Sequence, residues 1–193
     1  DGRPDLLEAR GWWEQPASLE GDPQWTFHET LFGKGGAQML VTDVNGDGLP
    51  DVVTSLQAHG YGIAWFEQTR ENGVIGWNKH MIVGEKKEET SHGTVFSQPH
   101  ALFLADINQD GLLDLVCGKR FWAHGPGGDP EPNAPAVLYW FELSRKGGKA
   151  EFLPHLVDED SGVGTQVSAA VLGTKGRIGF VAVSYTHLRA HET

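Results

Sequence analysis

The sequence predicts an all-β protein, a fragment of a β-propeller with about three four-stranded blades. Three observations lead there. The 193-residue chain holds twenty-six glycines and ten prolines with only 39% hydrophobic residues, a mixture that suits short strands joined by many turns. The stretch Asp43-Val44-Asn45-Gly46-Asp47-Gly48-Leu49-Pro50-Asp51 returns as Asp106-Ile107-Asn108-Gln109-Asp110-Gly111-Leu112-Leu113-Asp114. Beyond each copy the same aromatic signals follow in the same order. With a period of about 64 residues and four apolar runs in each, one period makes one blade. A propeller typically needs about 4–8 blades, so three do not close a ring, and further blades of the same full-length chain are expected.

The elements follow in order. Strand A is the apolar run before the acidic motif, Met39 to Val41 in one unit and Ala101 to Ala105 in the next. Strand B follows the motif as Val52-Val53 and Leu115-Val116. Strand C carries Trp65-Phe66-Glu67 and Trp140-Phe141-Glu142. Strand D carries Trp77-Asn78-Lys79-His80 and Phe152-Leu153-Pro154-His155. Partial copies stand at both ends. Asp1 to Leu7 reads as the second half of a motif, followed by Trp12-Trp13-Glu14 and Trp25-Thr26-Phe27-His28, so the chain begins inside a repeat. Near the other end, Val171, Gly173, Lys175 and Gly179 occupy the acidic positions of a last copy, which predicts a hairpin without an ion. Residues 1–183 are assigned to the partial propeller. Residues 184–193 break the pattern and read as a non-native read-through tail. His187 and His191 are four apart there, but Leu188 stands where a zinc-protease helix needs glutamate.

Composition removes several classes. No run approaches the roughly 18 apolar residues of a membrane span. A net charge of −11 opposes attraction to phosphate backbones, so a nucleic-acid partner is not expected. The single cysteine, Cys117, has no intrachain disulfide partner and falls in strand B as a core residue.

The acidic motif has the alternation that a hard cation needs, because Ca²⁺ takes six to eight oxygen ligands from such loops. The first copy offers Asp43, Asn45 and Asp47 at positions one, three and five, the Leu49 carbonyl at seven, and Asp51 at nine. The second offers Asp106, Asn108, Asp110, the Leu112 carbonyl and Asp114. Gly48 and Gly111 supply the left-handed turn at position six. Carboxylates so close together repel unless a dication lies among them. The competing reading is a plain Asp/Asn/Gly turn.

This pattern, apolar-x-Asp-x-Asn-x-Asp-Gly-x-x-Asp-apolar, resembles the FG-GAP and VCBS repeats of integrin-α-like β-propellers. The resemblance covers nearly all of residues 1–183 and is specific for the repeat, not for an activity. It implies calcium loops in the A–B hairpins of a protein that is extracellular, periplasmic or at the cell surface.

In an antiparallel blade the A–B and C–D turns share one face, and the B–C and D–A connections lie on the other. The long connections, Ser55 to Gly62, Gly84 to Pro99 and Gly118 to Pro135, all fall on the face opposite the acidic loops, where binding and catalysis usually reside. Those connections hold His59, His92 and His124, with His100 just before strand A. His28, His80 and His155 instead recur at one strand-D position, as framework. Four histidines on one rim suit Zn²⁺ or another transition metal, or acid–base work; as loop residues they could equally face water. Lys119, Arg120, Phe121 and Trp122 add charge and an aromatic platform, and Asp129-Pro130-Glu131-Pro132 reads as a stiff exposed turn. Two functions follow. One is a calcium-binding repeat module for an extracellular protein or carbohydrate ligand. The other is a metal-assisted carbohydrate lyase or dehydratase drawing on His59, His100, His124, Lys119 and Arg120, a reading that rests on fold analogy.

Overall fold

The computed structural model describes residues 2–172 and 177–183, with side chains through residue 168. Among the described residues thirteen strands form four antiparallel sheets, each built from consecutive strands. The first has three: β1 (Leu6–Glu8), β2 (Gly11–Glu14) and β3 (Thr26–Glu29). The second is complete, with β4 (Met39–Thr42), β5 (Asp51–Ser55), β6 (Ile63–Glu71) and β7 (Val74–Val83). The third repeats it with β8 (Pro99–Ala105), β9 (Asp114–Lys119), β10 (Leu138–Lys146) and β11 (Lys149–Asp158). A hairpin of β12 (Gln166–Leu172) and β13 (Arg177–Val183) starts a fourth. The predicted A-B-C-D order therefore holds in both complete sheets. The chain is a β-propeller fragment whose two whole blades are flanked by parts of two more. The last acidic-loop copy and the tail fall largely or wholly outside the described residues.

Each sheet is covered by its neighbours, which is why strand B reads as a continuous apolar run rather than an alternating one. Every residue of β5 and β9 is buried. Between the second and third sheets lies the largest core, with Val53, Ile63, Val83, Leu102, Leu115, Phe141 and Leu143 almost fully enclosed. Phe32, Val52, Ala64 and Phe66 form the contact toward the first sheet. Ala101, Val116, Leu138, Val163 and Val167 form the one toward β12.

The recurring histidines are framework, as expected. His28, His80 and His155 stack on Trp12, Trp65 and Trp140 at centroid distances of 4.7, 4.2 and 4.5 Å. Each is also hydrogen-bonded to the glutamate two residues after its tryptophan, Glu14, Glu67 or Glu142, at 2.7, 2.9 and 3.0 Å. The tryptophan supplies the stacking face and the glutamate fixes the ring, so each outer strand is tied to its neighbour.

Cys117 is fully buried in β9, and burial pushes its thiol far above the ordinary range. A thiol without accessible thiolate is inert. Ellman's reagent is expected to leave the folded protein unmodified at pH 8 and to label one thiol per chain after denaturation. Rapid labelling of the native protein would contradict this burial.

Candidate functional site

The two acidic loops fold alike. In the first, Asp43 accepts from the amides of Gly46 and Gly48 at 2.7 and 3.0 Å, Asn45 from Asp47 at 3.0 Å, and Asp47 from Leu49 at 2.7 Å. In the second, Asp106 accepts from Asp110 and Gly111 at 3.0 Å each, Asn108 from Asp110 at 3.0 Å, and Asp110 from Leu112 at 2.8 Å. Gly48 and Gly111 take the left-handed conformation, φ +84° and +90°, that position six requires. The short Asp and Asn side chains thus organise each tip through its own backbone.

Position nine does something different. Asp51 is fully buried and accepts from the amides of Val44, across the loop, and Gln68 on β6, both at 2.8 Å. Asp114 repeats this with Ile107 at 2.9 Å and Leu143 on β10 at 2.8 Å. Asp5 keeps the strand-C half, accepting from Gln15 at 2.9 Å. This aspartate is a clamp between hairpin and strand C as well as the ninth position of the motif. Burial pushes the Asp51 and Asp114 carboxyls above the usual carboxylate range, partly opposed by those amides, with Asp47 and Asp110 pushing the same way as burial. The donor set is all oxygen, with buried carboxylates raised by burial and acidic neighbours. Such a set fits a hard dication.

The first loop also gains a cation from the next sheet. Arg145 on β10 donates through Nε to the Val44 carbonyl at 2.8 Å and through Nη2 to the Asp43 carbonyl, with Nη2 4.0 Å from the Asp43 carboxylate.

At the opposite end the long connections converge. His59, in the β5–β6 connection, places Nδ1 3.2 Å from Asp129 Oδ1. His124, in the β9–β10 connection, places Nδ1 2.9 Å from Asp129 Oδ2. The two imidazoles stack at 4.8 Å and 9°, and His100 at the start of β8 meets His59 edge-on at 5.8 Å. Ligand atoms of His59, His124 and Asp129 all lie within 4.8 Å of one another. Arg120 completes the group, its Nη2 3.3 Å from Asp129 Oδ2 and 2.9 Å from His59 Nδ1.

Two expectations need correction. Asp129 is not part of an exposed turn: its side chain is 6% exposed, because two imidazoles and a guanidinium close over it. Burial raises its pKa, but hydrogen bonds from His124 and His59 outweigh this and hold the carboxyl below the usual range. His92 does not join the rim. It binds Glu151 at 2.9 Å at the outer edge, beside a cavity of about 590 Å³. Lys119 lies at the rim but is buried, its Nζ donating to Ser97 Oγ and to the Pro130 carbonyl at 3.5 Å, and burial lowers its pKa. It supports the turn that carries Asp129 rather than facing the cluster. His100 is half-buried, and burial followed by the Arg120 charge pushes its pKa down.

The His59 contacts conflict as hydrogen bonds. A protonated Nδ1 donates to Asp129 and meets the Arg120 donor head-on; an unprotonated one accepts from Arg120 and meets a carboxylate oxygen. Arg120 Nη2 carries two N–H groups, enough to donate to an unprotonated His59 Nδ1 and to Asp129 Oδ2 together.

Four-stranded sheets stacked face to face, each complete one opened by the same acidic hairpin, define a β-propeller repeat protein. Residues 43–117 match the FG-GAP-like repeat. The chain is also 28% identical over 99 residues to integrin alpha-PS3 of Drosophila melanogaster, a match covering 47% of this chain and 8% of that protein.

Proposed function

We propose that the chain is a calcium-binding propeller repeat module of an extracellular or cell-surface protein, whose ligand is a protein or a carbohydrate. The observation that carries this reading is the paired acidic hairpin. Asp43, Asn45, Asp47, the Leu49 carbonyl and Asp51 would hold one Ca²⁺; Asp106, Asn108, Asp110, the Leu112 carbonyl and Asp114 would hold another. The likeness to an integrin α chain supports the extracellular setting and a protein ligand. Loops of this exposure suit the Ca²⁺ concentrations outside cells, about 10⁻⁴–10⁻³ M. An ion bound only by the folded state stabilises by about 2.7 kcal/mol per site at a hundredfold excess over Kd. Thermal melting of the intact protein is therefore expected to show a Tm several degrees higher in millimolar Ca²⁺ than in EGTA. Asp47→Ala and Asp110→Ala should each remove one site from a calorimetric titration. An unchanged Tm together with no heat of binding would sink the reading.

A second reading is favoured by the convergence of His59, His124 and Asp129. Two imidazoles and one carboxylate would hold Zn²⁺ or a related transition ion and leave coordination positions open. In the corresponding enzyme, a metal-assisted carbohydrate lyase or dehydratase, His100, edge-on to His59 with its pKa lowered by burial and then by the Arg120 charge, would be the group that moves a proton.

A further inference from the structure

Resting on the transition-metal reading of the rim, we propose that this site takes a small molecule bearing a carboxylate, bound at the His59–His124–Asp129 trio beside the Arg120 side chain. Arg120 is 4% exposed, yet its guanidinium is only half used. Nη2 serves Asp129 and His59, while Nε is buried with no hydrogen-bond partner. A buried charged donor left without an acceptor is expensive, and a guanidinium presents its N–H groups in a fixed fork suited to carboxylates. His100 adds a second buried nitrogen, Nδ1, also without a partner. Its ring stands edge-on to His59.

Charge points the same way. Asp129 is the one carboxylate of the trio, and it is shared by two imidazoles and Arg120. A dication held there with neutral imidazoles leaves a positive excess that a single aspartate does not cancel. A carboxylate supplies one oxygen for an open metal position and another for Arg120 Nε, and its charge reduces the excess. A neutral hydroxyl satisfies the geometry but not the charge. The occupant is therefore an acid rather than a neutral sugar.

The test uses the intact protein in saturating Ca²⁺ with Co²⁺ as the rim probe, because cobalt bound through imidazole absorbs in the visible. The spectrum should saturate and should be lost in His124→Ala; failure here overturns the metal reading and the carboxylate proposal with it. With the cobalt spectrum in hand, sodium D-glucuronate is expected to produce a saturable spectral shift that D-glucose does not. Arg120→Gln, titrated with glucuronate after its own cobalt spectrum has been brought to saturation, should weaken that response at least tenfold. Arg120→Lys, which keeps the charge but loses Nε, should weaken it similarly and serves if the glutamine variant does not fold. A normal cobalt site that ignores glucuronate, responds equally to glucose, or responds unchanged in the arginine variants overturns the carboxylate proposal alone.

Discussion

Replacing Asp51 or Asp114 by alanine is expected to destabilise the intact protein by about 2–5 kcal/mol, measured by equilibrium unfolding in urea. Each substitution removes both acceptors of a fully buried carboxylate and strands two backbone amides, Val44 and Gln68 or Ile107 and Leu143. Those amides sit on different elements, so no single local shift repairs both. Asparagine recovers at most half, since its Oδ1 accepts one bond while its NH₂ opposes the other donor. The clamp is separable from ion binding by repeating the measurement in EGTA. Loss of Asp51 should then still be strongly destabilising, because the two amides it holds are stranded with or without an ion. Loss of Asp47, whose backbone partners lie at an exposed tip, should cost little. Equal effects that both disappear in EGTA would reduce Asp51 to an ordinary ligand.

A comparably large effect is expected from Gly118→Ala, at about 3 kcal/mol. A Cβ at this position would stand 2.1 Å from the Val137 carbonyl oxygen and 3.0 Å from Leu138 Cα. Both neighbours are backbone, so no rotamer change relieves the contact and β9 must move away from β10. The next residues are Lys119 and Arg120, whose amides donate to the Val137 and Gln98 carbonyls. The damage should therefore reach the histidine rim and perturb the imidazole resonances of His59 and His124. Gly127→Ala is the control, since its Cβ would meet nothing within 4 Å. Its stability should stay within about 0.5 kcal/mol of the parent. If Gly118→Ala melts like that control, the close approach of the two strands is wrong.

The repeat made most of this architecture legible. Duplicated acidic motifs fix where strands A and B meet, and the Trp-Phe-Glu and Trp/Phe-x-x-His signals locate strands C and D. The same comparison separates His28, His80 and His155, which recur on strand D, from His59 and His124, which repeat as Ala-His-Gly in the two long B–C connections, and from His100. Asp129 escaped because the β9–β10 connection is longer than its β5–β6 counterpart, which has no acid to compare with it. Proline on its far side and glycines before it resemble a solvated turn, and nothing local reveals that two imidazoles cover the carboxylate. The signal available was indirect: an acid in the same long connection as a rim histidine. His92 was misplaced for a related reason, since a connection's face does not say to which end of it a side chain belongs. The double duty of Asp51 was hidden by the motif itself, where position nine reads as a ligand and its backbone partners on strand C lie far along the chain.

Arg145 carries a consequence for how the assembly comes apart. Repeat arrays usually lose order one unit at a time, because each unit meets only its neighbours. Here a side chain of one sheet grips two carbonyls at the hairpin tip of the sheet before it. That tip cannot fray alone without releasing the grip, and the sheets cannot part without baring the tip. Hairpin tip and seam are thereby coupled, so the two complete sheets are expected to melt together as a single cooperative block.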